Sequence, residues 1–157
     1  MANMYRGITI PVTIVEGAIS IKETVSTKGS DKEPTLSNQA YPGERVAIIG
    51  DMQVEKATGS NGTIIGFIHD NPEYEIDPVV DYTKSQAIAA GMLRQCGVET
   101  NFVDVREVPV KNGEGIQPGN YVKDGADGQK FEKSSTATNM IALTTQGNDN
   151  IVTIGIQ

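Results

Sequence analysis

The chain has no Trp, one Cys, one His and only three Phe in 157 residues. Each scarcity removes a class of chemistry. A single cysteine, Cys96, closes no intrachain disulfide, so the fold does not depend on an oxidising compartment. A single histidine, His69, rules out a multi-histidine metal site, and one His with one Cys falls short of a structural zinc set. His69 and Cys96 could still meet in space as base and nucleophile, but no local signature supports that pairing over a surface histidine at a strand end.

Gly113-Glu114-Gly115 and Gly59-Ser60-Asn61-Gly62 lack the Lys-Ser or Lys-Thr and helix that complete a phosphate loop, and no Gly-x-Ser-x-Gly elbow occurs. Asp124-Gly125-Ala126-Asp127-Gly128 has two carboxylates but not the rest of a calcium-loop pattern, and reads better as an Asp-Gly turn. Glu73, Glu75, Asp77 and Asp81 read as solvated loop carboxylates. The expectation is a protein without catalytic residues, cofactor or metal.

Positive charge is also sparse. Thirteen Lys and Arg against twenty Asp and Glu give a net charge of −7, and the basic residues are scattered, which argues against direct nucleic-acid binding. No hydrophobic run approaches the length of a membrane span, and the stretch after Arg6 is too short and too polar for a signal peptide. Synthesis in a cytoplasm is expected.

What the chain has in quantity is glycine, seventeen residues, with seven prolines. Many turns between short strands predict a mainly β fold, a small antiparallel barrel or sandwich forming a single domain over 1–157. Ile8, Ile10, Val12 and Ile14 alternate with polar residues as a half-buried strand, and Pro11, lacking an N–H, places it at a sheet edge. That edge is either simply blunted or part of an N-terminal arm, about 1–15, that lies on a neighbouring subunit. Met1, Met4 and Tyr5 make the start of this arm semi-apolar and suited to strand addition.

Ala18 to Val25 gives a weak strand, Ser26 to Ser37 a charged surface loop, and Val46 to Ile49 a buried strand ended at Gly50-Asp51. Asn61-Gly62 predicts a type I′ hairpin turn leading into Ile64 to His69. Asp70 to Asp81 reads as an acidic linker, and 85–95 fits a short helix and strands equally well. Thr100 to Val110 and Ile151 to Ile156 read as strands.

One pattern occurs twice. Tyr41-Pro42-Gly43-Glu44-Arg45-Val46 leading to Ile64-Ile65-Gly66-Phe67-Ile68 is echoed by Gln117-Pro118-Gly119-Asn120-Tyr121-Val122 leading to Met140-Ile141-Ala142-Leu143. A gapless alignment superposes Pro42 on Pro118, Gly43 on Gly119, Ile65 on Ile141 and Phe67 on Leu143. Units of about 41–69 and 117–145 therefore share a local grammar of Pro-Gly turn, short strand and closing apolar strand, with or without a common ancestor.

Gly62-Thr63-Ile64-Ile65-Gly66-Phe67-Ile68-His69, the acidic stretch after it, and Gly115-Ile116-Gln117-Pro118-Gly119-Asn120-Tyr121-Val122 resemble the head decoration, or cement, proteins of tailed viruses over residues 40 to 145. The chain departs from that family in its charged loop at Ser26 to Ser37 and in having no Trp in the second unit. The resemblance implies a non-enzymatic β protein on the outer surface of the virion. It implies the major capsid protein as partner and a homo-oligomer, a trimer, that clamps capsid subunits against internal pressure. Candidate interface residues are Met1, Met4, Tyr5, Ile8, Ile10, Pro11, Tyr41, Phe67 and His69. The rival readings are a carbohydrate-binding or adhesion module, for which aromatic platforms are few, and another virion component such as a tail-tube or fibre subunit.

Overall fold

The computed structural model describes residues 7–15, 19–20, 35–36, 40–69 and 93–157. Among these every regular element is a strand, and no helix is long and apolar enough to cross a membrane. β1 (Thr9–Val15), β4 (Arg45–Gly50), β5 (Gln53–Lys56), β6 (Thr63–Ile68) and β7 (Leu93–Thr100) close into a barrel in the order β1-β5-β4-β6-β7. β8 (Asp104–Pro109), β9 (Tyr121–Asp124), β10 (Phe131–Ser134), β11 (Met140–Ala142) and β12 (Ile151–Ile156) form a second sheet in the order β10-β9-β11-β12-β8. Two short strands, β2 (Ile19–Ser20) and β3 (Thr35–Leu36), pair with each other, so the expected loop at Ser26 to Ser37 ends in paired backbone.

The two sheets follow one plan. Read in chain order, first to fifth strand, both have the spatial order third, second, fourth, fifth, first. Arg45 lies opposite Phe67 and Phe67 opposite Glu99, as Tyr121 lies opposite Ile141 and Ile141 opposite Gly155. Glu99 lies opposite Thr9, and Gly155 opposite Val105. The first barrel is closed by a parallel contact of β1 with β5, at Thr13 with Gln53 and Ile14 with Val54. The second sheet curls until Val110, just after β8, makes a parallel bridge to Phe131 of β10. This register pairs Phe67 with Ile141, not with Leu143 as the gapless alignment has it. The stretch from Glu44 to Ile68 is matched by the shorter one from Asn120 to Ala142, and the first copy contains a bulge beside Ile65.

Period-two alternation sorts the side chains. Ile10, Val12, Ile14, Val46, Ile48, Val54, Ile68, Cys96 and Val98 line the first barrel. Val108, Val110, Val122, Ala142, Val152 and Ile154 form the inside of the second sheet. The opposite face of that sheet supplies Ile141 and Leu143, with Val105 and Tyr121, to the first cluster, so one end of the first barrel is seated on it.

Several polar contacts fix this seat. Asp51 Oδ1, in the β4–β5 turn, accepts from the Thr145 N–H and hydroxyl, each at 2.6 Å. The Thr63 hydroxyl donates to Gly119 O at 2.7 Å, and Met52 N–H donates to Leu143 O at 3.0 Å. At the centre the Phe102 ring lies where a Cβ on Gly155 would stand.

Four local expectations need correcting or placing. Asn61-Gly62 does not make a two-residue type I′ turn, because Asn61 has no positive φ. Its side chain instead ties a longer connection, donating to Glu55 Oε1 and Lys56 O and accepting from Thr58 N–H. β1 belongs to a closed barrel, although Pro11 lies on the half of β1 that pairs with β7 and not with β5. Over 85–95, Leu93 to Gln95 belong to a strand, and 85–92 lie outside the described residues. So does the acidic stretch from Asp70 to Asp81.

Candidate functional site

Tyr41-Pro42-Gly43-Glu44 is a turn in which proline pre-sets φ and glycine takes the positive φ, 87°, that the following position demands. Glu44 N–H donates to Tyr41 O at 3.0 Å, and the Glu44 carboxylate accepts the Tyr41 N–H at 2.9 Å. The other Glu44 oxygen pairs with Lys56 Nζ at 2.8 Å. The Lys56 contact, and after it the Tyr41 N–H, hold the Glu44 carboxyl below the usual range. The turn is therefore fastened to β5 and presents Tyr41 to solvent, 53% exposed.

From this turn a row of side chains crosses the outside of the barrel. The Arg45 guanidinium sits over the Phe67 ring, 5.7 Å from its centroid. Glu99 is opposite Phe67 on β7, and Thr9 is next on β1. At the end of β6, His69 Nδ1 lies 3.2 Å from Glu99 Oε1, and His69 N–H donates to Gly97 O.

Of the sequence-derived interface candidates, Tyr41, Phe67 and His69 fall on this one wall, and Pro11 is exposed on β1 beside it. Ile8 is partly exposed near the junction of the barrel with the second sheet, where its N–H donates to Phe102 O. Ile10 is a correction: at 4% exposure it points into the barrel, as its place in the alternation with Val12 and Ile14 requires, and offers nothing to a partner. Met1, Met4 and Tyr5 lie outside the described residues. Arg45 and Glu99 were missed; the alternation of Arg45 with buried Val46 marks its outward direction, whereas Glu99 becomes legible only through cross-strand register. Val103, 73% exposed, was also missed.

Cys96 is buried in the barrel lining while His69 is exposed on the outer wall. Among the described residues no three His, Cys, Asp or Glu gather as a group able to hold a metal ion. Asp127 is engaged by its own turn, accepting the N–H groups of Lys130 and Gln129, which hold its carboxyl below the usual range. The arrangement is a row of aromatic and charged side chains on the outside of the barrel. No protein-family model, curated protein or solved structure matches the chain.

Proposed function

We propose that this chain is a non-enzymatic structural protein that binds the outer surface of an assembled viral capsid and stabilises it. The observation that carries the reading is the placement of β6. The Gly62 to His69 segment, on which the likeness to tailed-virus decoration proteins rests, brings Phe67 and His69 to the outer wall beside Tyr41 and Arg45. Aromatic and arginine side chains are the types that protein interfaces concentrate. In this reading the partner is the major capsid protein and copies associate as trimers.

Mass spectrometry of purified particles together with electron microscopy tests it. The chain is expected in the particles, with density outside the shell, and its deletion is expected to lower the temperature at which particles release their contents. Particles that lack the chain, or deletion particles with unchanged heat resistance, would overturn the proposal.

A further inference from the structure

The two sheets share a gap. In each, the first strand meets the third only near its end: β1 meets β5 at Thr13 and Ile14, and the chain just after β8 is bridged to β10 at Val110. Ahead of these contacts, one edge of β1 and one edge of β8 have no partner strand among the described residues.

The hydrogen bonds show which residues turn to that edge. Thr100 N–H donates to Ile8 O and Thr13 N–H to Met52 O, so the even-numbered residues of β1 bond to β7 and the odd-numbered ones face away from it. Val110 N–H donates to Asn150 O, while Leu143 N–H donates to Thr153 O on the other side of β12, so the even-numbered residues of β8 bond to β12. Val105 and Glu107 therefore turn their backbone groups to the open edge. Thr9 and Val105 hold the same place in the two registers, opposite Glu99 and Gly155, which makes Pro11 the counterpart of Glu107. Proline removes the edge donor from the first sheet, and Glu107 keeps it in the second. One edge is blunted, and its counterpart can still take a strand.

We propose that the open edge of β8 pairs with β8 of a second copy of this chain, antiparallel about a two-fold axis at Val105, joining the second sheets of the two copies. The contact goes beyond the capsid reading and does not depend on it.

The charges on β8 select both the partner and the register. Asp104 and Arg106 lie on one face of the strand, where Arg106 Nε donates to Asp104 Oδ2 at 2.6 Å and the Arg106 side chain is 64% exposed. An axis at Asp104, Arg106 or Glu107 would set two like charges directly opposite each other. An axis at Val105 instead sets Asp104 of each copy opposite Arg106 of the other, so the strand is complementary to itself in that register. It also places Val103, 73% exposed, opposite Glu107 of the second copy and leaves Pro109, which has no N–H to give, outside the paired stretch.

Sedimentation velocity of the full chain at about 100 μM tests this, a concentration that populates a dimer of micromolar Kd. Wild type is expected to sediment as a dimer. Glu107→Pro, which copies the first sheet, is expected to weaken the dimer about tenfold or more while keeping the wild-type circular dichroism spectrum. Asp104→Arg and Arg106→Asp, each alone, oppose like charges across the axis and are expected to be monomeric, whereas an equal mixture of the two is expected to form a dimer again. A purely intrachain role for these residues does not give that recovery, and the mixture keeps the test open if Glu107→Pro fails to fold. A monomeric wild type, an assembly indifferent to Glu107→Pro, or charge variants that stay apart on mixing would each overturn the proposal and leave the capsid reading as it stands. An assembly lost on deletion of residues 1–6 but kept in Glu107→Pro would assign the contact to the N-terminal segment and also overturn it.

Discussion

At the scale of single residues, the junction between the barrel and the second sheet depends on one absent methyl group. A Cβ on Gly155 would overlap Cε2, Cζ and Cδ2 of the fully buried Phe102 ring. Gly155→Ala should cost about 2 kcal/mol as overpacking, and Phe102→Ala about 3–5 kcal/mol as a cavity. The two effects should not add: on the Phe102→Ala background the alanine at 155 should cost less than about 0.5 kcal/mol, read by urea denaturation in a double-mutant cycle. Glu44 offers a pH-dependent test. Its carboxyl is held below the usual range by Lys56 first and the Tyr41 N–H second, so its contribution is fully present above the ordinary glutamate value, near pH ~4.3. It is lost as pH falls through the lower, folded-state value. Because the pair is substantially exposed, wild type should exceed Glu44→Gln by no more than about 1 kcal/mol at pH 7, and the gap should close on acidification below pH about 4. A gap that widens on acidification would contradict this sign.

At the scale of elements, the paired Pro-Gly turns provide an internal control. Gly43→Ala and Gly119→Ala each place an alanine at a positive φ near 87°, costing about 1 kcal/mol. Only Gly119 also has Thr63 Oγ1 and Ile48 Cγ2 at 3.2 and 3.3 Å from an added Cβ, so its substitution should cost more than that of Gly43, measured by the same denaturation. These turns were legible in the sequence because Pro followed by Gly restricts the backbone locally. So was the strand at Thr9 to Val15, whose alternation survives in the buried Ile10, Val12 and Ile14. Asn61-Gly62 misled because the asparagine amide found better partners in Glu55 and Lys56 than a tight turn allows. The barrel closure, Ile14 beside Val54, was not legible, since a parallel pairing between distant segments leaves no local signal. The outer wall was half legible: Tyr41, Phe67 and His69 were among the named interface candidates and lie on it, whereas Ile10, named with them, belongs to the apolar side of an alternating strand and is buried, and Glu99 required the register of β7 on β6.

At the scale of the whole molecule, the first hydrophobic cluster mixes the lining of the barrel with Phe102, Ile141 and Leu143 at the junction, so barrel and second sheet share one core. A single urea transition seen alike by near- and far-ultraviolet circular dichroism is expected for the wild type. Asp51→Ala combined with Phe102→Ala removes both the carboxylate that holds Thr145 and the central ring, and should split that transition in two. One unsplit transition in this variant would show that these two groups do not couple the barrel to the second sheet. The position of β12 has a separate consequence for how the chain is made. β12 is the last of the described strands in chain order, yet it lies between β11 and β8, and among the described residues β8 is otherwise tied to the sheet through the bridge at Val110. β9, β10 and β11 can therefore pair in chain order, but β8 cannot join them until β12 is made. β8 must wait, with its pairing edge open, until Ile151 to Ile156 emerge, and Gly155 arrives with them to receive Phe102. Truncation within β12 should thus leave the nascent chain dependent on a holding chaperone, whereas the first barrel has all five of its strands in hand once Thr100 has cleared the exit tunnel.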